Sequence, residues 1–249
     1  MTENYFIDTD KFSIDKFRNI LLTKEILPGR IILKEDLDER FDLLKTKKIK
    51  TLSDLLETLK TKQKIDRFSK ETGLTVEYLT ILRREANSYV SVPVKLIDLP
   101  FIETDIISKL ELHGIRDSKQ LVENAAKLND RQNLSEKHNL LFDKLSELVC
   151  LCDLVRITGV GPVFARIIYD SGIYTVKNFL SYDAFELFER LTKTNSEKGL
   201  TKAKFTQKDI EYCIELGRDL PLVVEICTKN HKFTTRYMCL KIKYLTKHL

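Results

Sequence analysis

Residues 157–180 read ITGVGPVFARIIYDSGIYTVKNFL, and the fold can be predicted outward from this stretch. Its first turn is Gly159-Val160-Gly161, which Pro162 and a helically spaced apolar stretch follow. Proline suits the first turn of a helix because its missing N–H would have no intrahelical partner there. The composition predicts two helices joined by a tight glycine hairpin, since glycine lets the backbone turn sharply and approach a neighbour.

A second pattern within this stretch occurs, without gaps, at three places in the chain: residues 33–56, 99–122 and 157–180. In each place a helix ends and an isoleucine follows, and a residue suited to the N-cap of the next helix stands two residues later. Three residues after that cap comes a side chain that can accept the backbone N–H of the cap. The isoleucines are Ile49, Ile115 and Ile173, and the caps are Thr51, Asp117 and Thr175. Gly114 and Gly172 precede the last two isoleucines, whereas Lys48 precedes the first. The pattern predicts helix, stop and capped helix, three times over.

We therefore expect an all-α protein of three tandem modules. The predicted organisation is an N-terminal arm (1–25), a first degenerate module (26–92), a second degenerate module (93–153), a third module with the glycine hairpin (154–221) and a basic tail (222–249). Further helices are expected over 64–85, with a break at Gly73 and a new start at Thr75, over 135–155, and from a Thr206…Asp209 box to residue 220. The tail is compatible with either a short hairpin or a closing helix.

Composition narrows the class of protein. Only 8 Gly and 5 Pro argue against a loop-rich all-β fold. The longest uncharged apolar stretch, residues 220–224, is far shorter than the roughly 20 residues that span a bilayer. The start of the chain has no apolar signal region, and the five cysteines show no ligand spacing, so we expect a cytoplasmic protein with buried free thiols and no membrane partner.

Positive charge is concentrated in two blocks. Residues 42–84 hold 11 basic and 6 acidic side chains, and residues 222–249 hold 6 and 1. The first block contains Lys45, Lys47, Lys48, Lys50, Lys60, Lys62, Lys64, Arg83 and Arg84, and the tail contains six cations between Lys229 and Lys247. Such patches are typical of polyanion attraction, although solvated lysine-rich helix faces are equally common.

The stretch ITGVGPVFARII (157–168) resembles a helix-hairpin-helix motif. In that motif the second helix presents free N–H groups and its positive dipole end to a phosphate of a nucleic-acid backbone. The candidate binding residues here are Gly159, Val160, Gly161, Val163 and Arg166. Val163 departs from the lysine or polar residue that usually follows the proline, and Arg166 lies one turn on. In the gapless register, Gly159 and Gly161 correspond to Phe101 and Glu103 in the second copy and to Glu35 and Leu37 in the first. A carboxylate would repel phosphate, so these two hairpins are expected to be structural.

The resemblance extends to three longer stretches: TGLTVEYLTILRREANSY (72–89), KLIDLPFI (95–102) and DLVRITGVGPVFARIIYDSGIYTVKNF (153–179). Their order is similar to an uncharacterised bacterial family with tandem helix-hairpin-helix units of the SAM-like type, over roughly residues 26–220. The resemblance implies an all-helical fold and, by analogy, a link to nucleic acid.

Other chemistry is not indicated. The four histidines (His113, His138, His231, His248) lie far apart in the sequence, and Cys150 and Cys152 lie inside a leucine-rich helix. No Walker loop, G-x-S-x-G elbow or dinucleotide fingerprint occurs. We expect a non-enzymatic, sequence-independent nucleic-acid-binding protein, with DNA as the expected ligand and with no metal or cofactor. The alternative is a protein–protein scaffold whose hairpins are purely structural.

Overall fold

The computed structural model describes residues 5–26 and 28–226, and over these residues the protein is helical, without β-strands. Two 3₁₀ helices, Pro28–Leu33 and Leu96–Asp98, accompany the α-helices. The α-helices are α1 (Ile14–Thr23), α2 (Leu37–Thr46), α3 (Leu52–Thr58), α4 (Lys62–Thr72), α5 (Val76–Asn87), α6 (Thr104–Leu112), α7 (Ser118–Ala125), α8 (Leu128–Lys137), α9 (Phe142–Leu154), α10 (Pro162–Asp170), α11 (Val176–Phe179), α12 (Ala184–Lys198) and α13 (Gln207–Gly217). Nowhere in the described ranges is a helix long and apolar enough to cross a bilayer.

The predicted N-caps are confirmed. The side chains of Thr51, Asp117 and Thr175 accept the backbone N–H three residues on, at the start of α3, α7 and α11. At Thr51 the carboxylate of Asp54 also accepts the cap's own N–H, which completes a capping box. The Thr206…Asp209 box opens α13 in the same way, and Thr75 caps α5.

The predicted helix stops share one backbone geometry. Lys48, Gly114 and Gly172 have φ of 64°, 80° and 88°. The following isoleucine donates its N–H to the carbonyl five residues earlier, which fixes the exit from the helix. These bonds are Ile49 to Leu44 (3.2 Å), Ile115 to Leu110 (3.0 Å) and Ile173 to Ile168 (3.3 Å). All three isoleucines are buried, so each stop also points an apolar side chain into the core.

The continuous helix predicted over 135–155 is wrong. Asn139 adopts a left-handed conformation with φ of 49°, and the chain divides there into α8 and α9. The N–H of Leu140 returns to the carbonyl of Ser135 (2.9 Å), and the Ser135 hydroxyl donates to the Leu140 carbonyl (2.7 Å). The turn therefore has the same hydrogen bond as the three stops, with asparagine as the left-handed residue.

Residues assigned to the N-terminal arm are part of the core. Helix α1 packs against α2 and α3, and Phe17 and Leu21 are fully buried. Ile14 donates its N–H to the carbonyl of Lys50 (2.8 Å), which joins the start of α1 to the α2–α3 connection. Before α1, the hydroxyl of Tyr5 lies 2.5 Å from that of Ser118. The apolar periodicity of this segment is thus satisfied by tertiary packing rather than left in solvent.

A buried ion pair joins distant parts of the chain. Arg156 contacts Asp153 (2.5 Å), and both side chains are almost completely excluded from solvent. The guanidinium also donates to the carbonyls of Tyr5 (2.9 Å) and Pro221 (2.7 Å). The second carboxylate oxygen of Asp153 accepts the N–H of Val176, the first residue of α11 (2.8 Å). One contiguous cluster of buried apolar residues runs from Tyr5 to Leu220, so the predicted modules share a core.

Of the predicted tail, residues 222–226 lie within the described part of the chain and are not helical. Glu225 donates its N–H to the carbonyl of Ala126 (2.9 Å), and its carboxylate accepts the N–H of Leu128 at the start of α8 (3.1 Å). The buried Arg131 donates to the carbonyl of Glu225 (3.1 Å), and this bond holds the segment against α8. The choice between a hairpin and a closing helix for the remainder, and the basic cluster Lys229–Lys247, lie outside the described residues.

Candidate functional site

The glycine hairpin connects α9 to α10, and Gly159 is required there for two reasons. Its φ is +92°, and a Cβ atom at this position would lie 3.1 Å from the sulfur of Cys213 on α13. Val160 is 5 % exposed and donates its N–H to the carbonyl of Ile157 (2.9 Å). The side chain of Val160 thus lies in the core, and its N–H already has an acceptor within the hairpin. Among the five candidate residues, Val160 therefore stabilises the hairpin through packing.

Gly161 and Val163 lie on the outside of the hairpin. Gly161 is the exposed N-cap of α10, and no described side chain accepts an N–H at the start of this helix. None of the hydrogen bonds found among the described residues uses the N–H of Gly161 or Val163. Pro162 occupies the first helical position, and the side chain of Val163 is 42 % exposed. The first turn of α10 therefore offers two backbone donors at the positive end of a helix.

The guanidinium of Arg166 is paired with two carboxylates. Its guanidinium contacts Glu147 of α9 at 2.5 Å and Asp170 at 2.9 Å, and its side chain is only 15 % exposed. The guanidinium carbon also lies 5.7 Å from the ring centroid of Phe101. Two carboxylates compensate its charge, so Arg166 joins α9, α10 and the second hairpin rather than presenting a free cation beside the glycines.

Charge around the hairpin is balanced. Lys144 pairs with Glu103 (2.9 Å), and Lys198 pairs with Asp170 (2.8 Å), which adds to the contacts of Arg166. The loop that precedes α13 lies against α10, where the ring centroid of Phe205 is 5.0 Å from that of Phe164 in the first turn. Two lysines precede Phe205 in that loop, both exposed and neither in an ion pair within the described chain: Lys202 and Lys204. Sequence reasoning missed them because only the aromatic contact brings the loop to this helix.

The second hairpin has a similar backbone but different chemistry. Phe101, which corresponds to Gly159, also has a positive φ, of 62°, and its side chain is 72 % exposed. Glu103, which corresponds to Gly161, is the N-cap of α6 and makes no capping hydrogen bond through its side chain. Its carboxylate lies beside the helix start and would oppose an anion there. In the first copy Asp36 is the N-cap of α2, with φ of 44°.

The basic block at residues 42–84 divides into paired and unpaired cations. Lys45 contacts Asp15 and Asp42, while Lys60 and Lys64 both contact Glu57. Arg67 contacts Glu71. The other seven cations of residues 42–84 make no ion pair within the described ranges: Lys47, Lys48, Lys50, Lys62, Lys70, Arg83 and Arg84. The excess positive charge predicted from the sequence is therefore present on the surface formed by residues 42–84.

Two histidines that are distant in the sequence meet in space. The rings of His113 and His138, at the ends of α6 and α8, stack with centroids 3.6 Å apart beside a cavity of 410 Å³. Desolvation and the neighbouring His113 lower the pKa of His138. No group of three or more metal-ligating side chains occurs in the described part of the chain, and His231 and His248 lie outside it.

The cysteines that the structure describes are free and buried: Cys150, Cys152 and Cys213. Burial raises the pKa of the Cys150 and Cys213 thiols to about 12, which keeps both protonated at neutral pH. The predicted buried thiols are confirmed at these three positions. Cys227 and Cys239 lie outside the described residues.

Over the residues that the structure describes, the protein is helical, with an exposed glycine hairpin and an unpaired cationic surface. Residues 100–220 match the family described as Domain of unknown function (DUF4332). The matched stretch includes both the Phe101 hairpin and the glycine hairpin, and it agrees with the predicted resemblance to an uncharacterised family. No curated protein and no solved structure matches the chain.

Proposed function

We propose that this protein is a non-enzymatic assembly of three tandem helix-hairpin-helix modules that binds a nucleic-acid backbone without reading its sequence. The observation that carries the proposal is the open first turn of α10. There, Gly161 and Val163 are exposed, and their N–H groups make no hydrogen bond among the described residues. Backbone donors at a helix N-terminus favour phosphate oxygens and carry no information about base identity.

The surrounding charges support an electrostatic, sequence-blind mode of binding. Seven cations of residues 42–84 and two lysines beside α10 make no ion pair within the described chain. Their field attracts a polyanion over a distance set by salt screening. In this arrangement Arg166 is a positioning residue, because its contacts hold α10 against α9 and the second hairpin.

A substitution at Gly161 tests the proposal without disturbing the fold. Gly161 has φ of −86°, and a Cβ atom there meets no other atom within 4 Å, so a side chain is accommodated. In Gly161→Asp, the new carboxylate accepts the N–H of Val163 or Phe164 in the first turn of α10, and its negative charge repels a phosphate at the helix start. The matched control is Gly161→Asn, which has nearly the same shape and capping ability but no charge.

The measurement is fluorescence anisotropy of a labelled 20-base-pair duplex, titrated at several salt concentrations. We expect wild-type affinity to fall steeply with salt, Gly161→Asp to lose at least tenfold in affinity, and Gly161→Asn to lose clearly less. Because aspartate is a good N-cap, the melting temperature of Gly161→Asp should equal or exceed that of the wild type. Equal affinities of wild type and Gly161→Asp would reject the hairpin as the phosphate site, and no binding by the wild type would reject the function.

A protein–protein scaffold is the second candidate, and the surface around Phe101 favours it. Phe101 and Val163 are large exposed apolar side chains, and both lie near Arg166, whose charge two carboxylates compensate. Exposed aromatic side chains of this kind are typical anchors of protein interfaces. The same titration separates the candidates, because a scaffold of this kind shows no salt-dependent affinity for either duplex or single-stranded DNA.

A further inference from the structure

We infer that the lysines of the α2–α3 connection, Lys47, Lys48 and Lys50, form a second contact for the phosphate backbone, separate from the glycine hairpin. This inference rests on the proposed function and names a further binding surface for the same ligand. We call these three residues the lysine connection. All three are exposed, and none makes an ion pair with a described residue.

Neighbouring carboxylates are engaged elsewhere. The carboxylates of Asp15 and Asp42 contact Lys45, at 3.1 and 2.9 Å. Asp54 accepts the backbone N–H groups of Lys50 (2.9 Å) and Thr51 (3.0 Å) rather than a lysine ammonium group. The lysine connection therefore presents three ammonium groups within four residues, and its side chains remain available to an external anion.

The backbone at Lys48 adds a second observation. Lys48 has φ of 64° at the position where the other two stops have Gly114 and Gly172. A side chain in this left-handed conformation is less favourable than glycine. A lysine here thus contributes charge at a position where the fold alone would prefer glycine. The competing structural explanation is that the lysine interacts with the carbonyl end of α2, where cations are favourable.

The ligand that fits this surface is a polymer of closely spaced phosphates. Three residues of chain span at most about 10 Å, and long flexible lysine arms extend beyond that, so adjacent phosphates are within reach. The whole block 42–84, with 11 basic and 6 acidic side chains, adds a favourable field. Each lysine that neutralises a phosphate of duplex DNA should contribute about 0.9 to the slope of log affinity against log salt.

The test compares two triple variants in the duplex titration. Lys47→Gln/Lys48→Gln/Lys50→Gln removes the lysine connection. Its control, Lys95→Gln/Lys127→Gln/Lys137→Gln, removes the same charge from exposed lysines of the second module that make no ion pair within the described residues. We expect the salt slope of the first variant to be smaller by about 2 to 3, with at least tenfold weaker binding at 0.1 M salt. Equal losses in both variants would overturn the inference, because they would reflect net charge alone.

Lys48→Gly separates a binding role from a structural one. If Lys48 contacts phosphate, this variant binds duplex about five- to tenfold more weakly at 0.1 M salt, while its melting temperature is unchanged or about 2 °C higher. If Lys48 serves only the end of α2, the melting temperature falls and affinity stays at the wild-type level, which overturns the inference.

The two proposals fail in distinguishable ways. Loss of binding in Gly161→Asp, together with wild-type binding in the lysine triple variant, leaves the proposed function intact and rejects the lysine connection. Absence of any binding by the wild-type protein rejects both. Binding to vesicles of anionic lipid but not to DNA would assign the lysine connection to a membrane surface and would also overturn the inference.

Discussion

Replacing Arg156 should destabilise the whole protein. In Arg156→Met the carboxylate of Asp153 stays buried but loses its guanidinium partner, and the carbonyls of Tyr5 and Pro221 lose their donor. Removing one partner of a buried ion pair costs about 3–5 kcal/mol. For a chain of this size, the melting temperature changes by about 2–4 °C per kcal/mol, so we expect a fall of roughly 10 °C.

The assays are thermal denaturation, which gives the melting temperature, and urea denaturation, which gives the free energy of unfolding, each followed by circular dichroism at 222 nm. The matched control is Arg67→Met, because the Arg67 side chain is 83 % exposed and pairs with Glu71 on the surface of α4; it should change the free energy of unfolding by less than about 0.5 kcal/mol. Asp153→Leu/Arg156→Met should recover part of the loss, since it removes the uncompensated buried charge. A loss below about 1 kcal/mol in Arg156→Met would show that the pair is not the buried tie between the chain segments described above.

Three further predictions concern the turns, the histidine pair and the thiols. Phe101→Gly should raise the free energy of unfolding by up to about 1 kcal/mol, because glycine adopts the positive φ of this exposed position without strain. The control Phe185→Gly, at an exposed position of α12, should lower the free energy of unfolding, and equal effects of the two substitutions would contradict the argument. Desolvation and His113 lower the pKa of His138 in the folded state, so below about pH 6.5 the unfolded chain binds more protons than the folded one. The free energy of unfolding should therefore fall as the pH drops from 7 to 5. His138→Gln should flatten this dependence in thermal melts, and an unchanged pH profile in this variant would contradict the argument. Since burial raises the pKa of Cys150 and Cys213 to about 12, a Cys227→Ser/Cys239→Ser variant should react with a thiol reagent at pH 8 at least 100-fold more slowly when folded than in urea, and fast labelling of the folded form would refute the burial.

Local features of the fold could be predicted from the sequence because their hydrogen bonds join residues only three to five positions apart. The caps at Thr51, Asp117 and Thr175 and the stop at Gly172 belong to this group. A side chain that bonds its own helix start leaves a signature in the residue types alone. Asn139 was missed because leucines on either side continue the helical period across the turn.

Tertiary relations were not accessible in the same way. The partners of Arg166 lie on α9 and at the second hairpin, and nothing in the spacing of these residues links them to the glycines. The sequence predicts Val160 in an exposed hairpin. In the structure α13 packs against Gly159, and Val160 is buried. The role of a residue in the candidate site therefore depended on which helices cover the hairpin, and the apolar pattern does not specify this.

The guanidinium of Arg156 has a consequence for how the protein can be divided. Its acceptors on Tyr5 and Pro221 both fall outside residues 100–220, the stretch that matches a known family. A fragment cut at those similarity limits would keep the cation at its centre and discard two of the oxygens that solvate it. The stretch that matches a known family and the stretch needed for folding therefore have different boundaries in this protein. Expression trials should retain the segments on both sides of the match.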